Sequence, residues 1–225
     1  MSKSVVPPSR GLSVAVKTAK SRSPASARWL ARQLNDPYVA AARRQGWRSR
    51  AAFKLLELDD KFHLIRPGAR VLDLGAAPGG WTQVAAKRGA ALVVAVDLLP
   101  IDPIEGAEIV QGDFMDPAMP ERLAAALGGA ADVVLSDIAP NTTGHAGTDH
   151  IRIVALAELA LDFAVQILSP KGAFVAKVFQ GGLEKQILDV LKQNFRTVRH
   201  AKPPASRKDS SELYVVATGF RGRAA

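Results

Sequence analysis

The tightest constraint on this chain is the stretch Ala69-Arg70-Val71-Leu72-Asp73-Leu74-Gly75-Ala76-Ala77-Pro78-Gly79-Gly80-Trp81, a short apolar run closed by a glycine-rich turn. Val71, Leu72 and Leu74 fit a buried parallel strand, and residues 75–80 fit a turn that lets the backbone approach a ligand where the next helix begins. A dinucleotide fingerprint requires G-x-G-x-x-G. Counted from Gly75, the second glycine position holds Ala77, which removes the close approach to a pyrophosphate. A ligand without phosphate fits better. The following strand ends in Asp97, 22 residues beyond Gly75, near the spacing at which an acid holds ribose hydroxyls in this fold class. Adenosine with a non-phosphate tail points to S-adenosyl-L-methionine. The plain alternative is a strand, turn and helix whose glycines are structural.

Apolar runs and helical patterns alternate on both sides of this stretch. Strands are expected near residues 71–74, 92–97, 108–110, 132–135 and 173–179, with helices near 49–62, 81–87, 120–127, 151–168 and 183–193 between them. A turn at residues 169–172 leads into the fifth strand. This alternation predicts a doubly wound, mostly parallel α/β sheet. The connection between the last two strands, near 197–200 and 213–218, lacks an apolar helix, so these two should form an antiparallel hairpin. In this fold class an acid after the third strand commonly contacts the base of the nucleoside, which makes Asp113 a candidate, against a solvated loop aspartate. Ser49 is placed to cap the helix that begins there.

Charge divides the chain unevenly. Residues 1–50 hold eleven Lys and Arg against the single acid Asp36, while the remaining residues hold 19 bases and 20 acids. A basic arm over residues 1–26, rich in Ser and Pro and expected to be disordered, thus precedes a nearly neutral domain over 27–220 and a tail over 221–225. Such an arm attracts phosphates without sequence preference. A mitochondrial transit peptide is the rival for the arm, although Pro7 and Pro8 interrupt the amphipathic helix it needs, and no apolar signal-peptide core follows. Within the helical segment 27–66, Trp29, Tyr38, Trp47 and Phe53 interleave with Arg28, Arg32, Arg43, Arg44, Arg48 and Arg50. The pattern suits RNA, whose bases stack on rings and whose phosphates pair with guanidinium groups. The competing role is a helical cover whose rings pack on the domain. The longest apolar run, residues 151–168, is interrupted by charged residues, so no membrane span is expected. The chain has no cysteine and four histidines, which excludes thiolate chemistry and leaves little for a metal site.

Three charged residues stand where chemistry is expected. Lys177 lies inside the central strand pattern Phe174-Val175-Ala176-Lys177-Val178-Phe179, where an ion is costly unless paired. Asp137 ends the fourth strand, on the edge where such sheets bind ligands. Glu212 begins the last strand, and if that strand runs antiparallel its start lies at the same edge; a surface carboxylate is its alternative. Lys54, beside an apolar helical stripe of Phe53, Leu56 and Leu64, reads by itself as a snorkelling side chain.

The motifs Arg48-Ser49-Arg50-Ala51-Ala52-Phe53-Lys54-Leu55, Asp73-Leu74-Gly75-Ala76-Ala77-Pro78-Gly79-Gly80-Trp81, Asp97-Leu98-Leu99-Pro100, Gln111-Gly112-Asp113-Phe114, Ser136-Asp137-Ile138-Ala139-Pro140-Asn141, Lys177-Val178-Phe179-Gln180-Gly181 and Ser211-Glu212-Leu213-Tyr214 occur in this order. Over about residues 27–219 they resemble the FtsJ-type ribosomal RNA large-subunit methyltransferases. The resemblance implies a Rossmann-like fold and methyl transfer from S-adenosyl-L-methionine to a ribose 2′-oxygen, in bacteria on a uridine of the large-subunit ribosomal RNA A-loop. It also implies a catalytic tetrad of Lys54, Asp137, Lys177 and Glu212, with Gly79, Trp81, Asp97, Asp113 and Asp137 at the cofactor. No residue among these departs from the family pattern.

The expected partner is the large ribosomal subunit, with no metal, in the cytoplasm, for a protein acting as a monomer. In methyl transfer the weakly acidic ribose hydroxyl must lose its proton as it attacks. Lys177 is the expected base, and for that it must be neutral, which burial and Lys54 favour and Asp137 and Glu212 oppose. A protonated Lys177 that steers the oxygen lone pair is the other arrangement. Related enzymes methylate transfer RNA or messenger RNA caps. A non-catalytic ribosome-assembly factor and a nicotinamide-dependent oxidoreductase are the other classes, disfavoured by the intact tetrad and by Ala77.

Overall fold

A computed structural model describes residues 14–16, 18, 23–139, 146–179 and 185–222. Seven strands form one sheet in the order β3-β2-β1-β4-β5-β7-β6. They are β1 (Arg70–Leu74), β2 (Leu92–Asp97), β3 (Ala107–Gln111), β4 (Ala131–Ser136), β5 (Leu168–Phe179), β6 (Phe195–Ala201) and β7 (Glu212–Phe220). Strands β1 to β5 run parallel, and β7 lies antiparallel between β5 and β6. The antiparallel hairpin expected at the end of the chain is therefore present. β7 pairs on both sides, which carries its starting residue Glu212 opposite Phe179 at the carboxyl end of β5.

Alternation along the strands creates two cores. Leu72, Leu74, Val94, Val134, Phe174, Ala176 and Val215 face one side, where α5 (Met119–Leu127), α6 (Ala146–Ile167) and α7 (Lys185–Asn194) pack. Val71, Val93, Val133, Leu135, Val175, Tyr214 and Val216 face the other, covered by α3 (Ala51–Phe62) and α4 (Gly80–Lys87). Side chains two residues apart share a face of a strand. The even and odd positions of these near-continuous apolar runs thus supply opposite cores, as a sheet covered on both faces requires.

The structure differs from expectation in three places. The first helix, α1 (Pro24–Leu34), is capped by Ser23, whose hydroxyl accepts the Ser26 N–H at 3.3 Å; helix therefore begins inside the stretch assigned to the arm, most of which lies outside the described residues. It is followed by α2 (Pro37–Gln45). Ser49 does not cap α3. Arg50 occupies the cap position without a side-chain bond, and the Ser49 hydroxyl is buried with no hydrogen-bond partner among the described residues, close packed where Gly80 leaves room for it. The turn expected at 169–172 is instead a bulge within β5. Leu168 already pairs with Ala131, and pairing resumes at Ala173 with Val133.

Candidate active site

The site is built at the carboxyl ends of the parallel strands, where β1 breaks into its glycine turn. Gly75 and Gly79 take φ of 69° and 99°, in the left-handed region that other residues enter at a cost. A side chain at Gly75 would run into Ile138, and one at Gly79 into Ile104 and Arg48. The Gly75 and Ala76 N–H groups both donate to the Val96 carbonyl, at 2.9 and 3.1 Å, which ties the turn to β2. Asp97 then fastens it, its Oδ2 accepting the Ala77 N–H and its Oδ1 the Leu99 N–H, both at 2.8 Å.

Between these strand ends lies a cavity of about 570 Å³. Asp97, Asp113 and Asp137 line it with Gly75, Ala77 and Phe114, and no Lys or Arg is among its described lining residues. That distribution suits a cationic or hydroxyl-rich ligand and opposes a pyrophosphate. Each oxygen of Asp97 that accepts a backbone N–H retains capacity for a further bond. Gly79 and Trp81 do not line the cavity. Gly79 shapes the turn, and Trp81 is buried, donating its indole N–H to the Ala51 carbonyl at 2.8 Å and packing on Tyr214 at a ring distance of 5.6 Å.

Strand parity brings the catalytic candidates to the α3 side. Lys177 follows Val175, Glu212 precedes Tyr214, and Asp137 follows Leu135, each two residues from a member of that core. Lys54 projects from α3 above them. Lys177 Nζ lies 2.8 Å from Asp137 Oδ1 and donates to the Asp137 carbonyl at 2.8 Å. Lys54 Nζ lies 2.8 Å from Glu212 Oε1 and donates to Oε2 at 2.9 Å. It also donates to the Tyr214 hydroxyl at 3.1 Å and stands 3.8 Å from Asp137 Oδ2. Two ammonium groups and two carboxylates thus share one buried cluster, which is the condition under which ions persist away from water. Burial pushes the Asp137 carboxyl up, but Lys177, Lys54 and the hydrogen bonds from Lys177 and Tyr214 outweigh it and hold the group below the usual carboxylate range.

Tyr214 was not among the expected site residues. Its hydroxyl donates to Asp137 Oδ1 at 2.6 Å. Burial, then the carboxylates of Asp137 and Glu212, raise its pKa well above the ordinary tyrosine value, so it remains a neutral phenol. The signal was present in the sequence: a hydroxyl two residues from Glu212 on one strand must share its face. Asp73 was also unassigned. It is buried, accepts the Thr82 hydroxyl at 2.7 Å, and burial pushes its pKa up to about 7, with Asp137 and Asp97 adding to the rise. Because the folded state retains this proton to higher pH than the unfolded chain, stability should fall as pH rises from about 4 to 7. The Asp73 contribution is at most about 1.4 kcal/mol per pH unit, and unfolding of the Asp73→Asn variant over that range should lack it.

The aromatic and arginine segment divides. Phe53 is fully buried against Tyr38, at a ring distance of 5.4 Å, and the Tyr38 hydroxyl donates to Glu57 at 3.4 Å. Burial and Glu57 push the Tyr38 pKa up to about 12. Lys87 covers the Trp47 ring at 4.3 Å. These three rings pack on the domain, as the cover alternative requires; the Trp29 side chain lies outside those described. Arg50 pairs with Asp36 at 3.0 Å. Arg48 donates to the Pro78, Asp102 and Pro103 carbonyls at 3.3, 2.7 and 2.7 Å, bracing the glycine turn. Arg28, Arg32, Arg43 and Arg44 remain exposed. Among the described residues no cluster could hold a metal ion, and no helix is long and apolar enough to cross a membrane.

A carboxylate-ringed cavity at the switch from β1 to β4, bordered by paired lysines, defines an α/β enzyme that works with a nucleoside cofactor lacking phosphate. Residues 47–220 match the FtsJ-like methyltransferase family, and the chain belongs to that family. It is similar to the ribosomal RNA large subunit methyltransferase E of Granulibacter bethesdensis, 72% identical over 212 residues that cover 94% of this chain and 92% of that one. The protein of the same description from Paramagnetospirillum magneticum is 62% identical, covering 95% and 91%. Among solved structures, a provisionally assigned ribosomal RNA methyltransferase from Plasmodium falciparum superposes with a TM-score of 0.70 at 29% identity, covering 79% of this chain and all of that one. S-adenosyl-L-methionine is accordingly the cofactor.

Proposed function

We infer that the protein transfers a methyl group from S-adenosyl-L-methionine to the ribose 2′-hydroxyl of a uridine in the A-loop of large-subunit ribosomal RNA, acting as a monomer on the assembled subunit in the cytoplasm. The observation that carries this reading is the cluster of Lys54, Asp137, Lys177 and Glu212 beside the cavity, with Asp137 belonging to both. The names of the relatives support large-subunit ribosomal RNA as the substrate. The test of the atom modified is nuclease digestion of RNA methylated by the enzyme, followed by mass spectrometry, where a methyl on the base in place of the ribose contradicts the reading.

The cofactor supplies a methyl group on a sulfonium whose departure needs no acid. Asp97 and Asp113 would hold its nucleoside, and Asp137 the end nearest the lysines. Everything else is the handling of one hydroxyl. Asp137 engages two positions on Lys177 Nζ, which leaves the third, a lone pair in the neutral amine, for the ribose hydroxyl. Lys177 acts as the base when neutral, taking the hydroxyl proton as the oxygen attacks. Asp137 then stabilises the ammonium that forms. Lys54, fixed by Glu212 and Tyr214, positions the hydroxyl and keeps the cluster electrically balanced.

Asp97→Ala is expected to weaken S-adenosyl-L-methionine binding by about 1.5 to 3 kcal/mol, the range for charge-assisted hydrogen bonds, with RNA affinity retained. An unchanged cofactor affinity by calorimetry would remove Asp97 from the site. Because α1 is capped by Ser23, a deletion that tests the arm should stop at residue 22. It removes Lys3, Arg10, Lys17, Lys20 and Arg22, and the log-log salt slope of RNA binding should fall by about 1 to 3. The chemical step on saturating substrate should be unaffected. Identical slopes for the two chains would show that the arm does not contact RNA.

A further inference from the structure

At the opposite end of the sheet, where β1, β4 and β5 begin, lies a second cavity of about 560 Å³, as large as the one assigned to the cofactor. Along β5 the lining residue Ala173 precedes Lys177 by four positions, so their backbones stand roughly 13 Å apart. His63, Arg66, Lys171 and Arg196 all line it. All four side chains are exposed, and among the described residues none has an ion-pair partner.

Among the described lining residues the one carboxylate, Asp132, is committed to the fold. Its Oδ2 accepts the Arg70 N–H and its Oδ1 the Ser169 hydroxyl, both at 2.9 Å. The nearby acids Asp59 and Asp60 are taken by Arg88. This concentration of unmatched positive charge occurs in the part of the chain whose acids and bases otherwise balance, so it does not follow from composition.

The backbone is constrained at two of these positions. His63 and Lys171 are the non-glycine residues with positive φ among those described, at 52° and 71°, and both belong to this cavity. His63 takes it as the C-cap of α3, its N–H donating to the Asp59 carbonyl at 2.8 Å, and Lys171 takes it in the β5 bulge, so helix end and bulge fix where the two side chains leave the backbone. Arg196 lays its aliphatic stem along Gly219, where an added methyl would stand only 3.1 to 3.2 Å from three of its carbons. Gly219 therefore lets that side chain lie flat at the cavity edge.

We propose that this cavity is a phosphate-binding site that takes RNA phosphodiesters remote from the methylated nucleotide. Arginine and lysine around a concave surface match phosphate oxygens by charge and by hydrogen bonding. With RNA as the source, the proposal rests on the substrate reading above. A free phosphorylated small molecule has the same chemistry, and the experiment separates the two.

Wild-type chain and the Arg66→Gln/Lys171→Gln/Arg196→Gln variant are titrated with large-subunit ribosomal RNA at several salt concentrations and, separately, with tripolyphosphate. Methylation of saturating RNA and thermal unfolding are followed in parallel. The expected result is a salt slope lower by about 1 to 3, with unchanged midpoint of unfolding and unchanged saturating rate. Tripolyphosphate binding lost in the variant while the RNA slope stays constant assigns the cavity to free phosphorylated molecules and overturns the RNA proposal. Loss of neither overturns the site altogether. If the triple variant unfolds, single Arg66→Gln and Arg196→Gln variants report the same slope change in steps of about 0.7 to 0.9. A wild-type chain that fails to methylate RNA yet shows the slope difference removes the substrate reading and leaves the cavity standing.

Discussion

Lys177→Ala lowers the single-turnover rate of methyl transfer by about 10²- to 10⁴-fold, the range a positioned general base supplies, and the protein stays folded. Asp137 loses one partner in this variant but keeps Lys54 and the Tyr214 hydroxyl, so the cluster is not left with an isolated charge. Lys177→Arg fails to the same degree. A guanidinium does not give up its proton near neutral pH, and its planar fork does not fit the place of a compact ammonium held by two Asp137 oxygens. Appreciable turnover by the arginine variant would show that a fixed positive charge suffices and that Lys177 steers the hydroxyl without accepting its proton.

Asp137→Ala produces the largest loss of stability. The carboxylate pairs with Lys177 at 2.8 Å, accepts the Tyr214 hydroxyl and stands 3.8 Å from Lys54 Nζ, and removing it leaves two ammonium groups at a mostly buried site with Glu212 alone between them. Breaking one side of a buried ion pair costs about 3 to 5 kcal/mol, and cofactor binding is lost as well because the same residue lines the cavity. The pH dependence has a definite sign. A carboxyl held low in the folded state contributes stability above its unfolded pKa of about 3.9 and loses it as pH falls through the lower folded value. The penalty of the substitution is therefore full at neutral pH and shrinks below about pH 4. Denaturant unfolding of both proteins across that range measures it, and an equal penalty at all pH values would show that packing, not charge, accounts for the loss.

The sequence made the sheet readable because its strands are apolar on both faces and its turns are punctuated by glycine. The run Val71 to Leu74 and the strand Phe174 to Phe179 could be buried only in a covered parallel sheet, and Lys177 stood out there as an ion without an evident partner. Glu212 was placed by topology alone: a strand entering antiparallel must start where its neighbours end. Elsewhere the determinants are tertiary. Ser49 looks like a cap by position, but the absent side chain of Gly80 pulls its hydroxyl into packing against α4. Rings and arginines at residues 27–58 look alike whether they serve RNA or the fold, and only the structure turns Phe53, Tyr38 and Arg48 inward. Tyr214 escaped notice because tyrosine is common in apolar strands, and its hydroxyl acquires a role only when β7 pairs beside β5 and sets it against Asp137.

Methylation of a ribose hydroxyl by this cluster is tested most directly on the natural substrate. Large ribosomal subunits from cells lacking the enzyme, incubated with purified protein and isotopically labelled S-adenosyl-L-methionine, allow the product to be mapped by nuclease digestion and mass spectrometry. Label is expected in a single 2′-O-methyluridine of the A-loop and is expected to be absent when Lys177→Ala protein is used. Label on a nucleobase, or label at the same ribose with the Lys177→Ala protein at the wild-type rate, would contradict it.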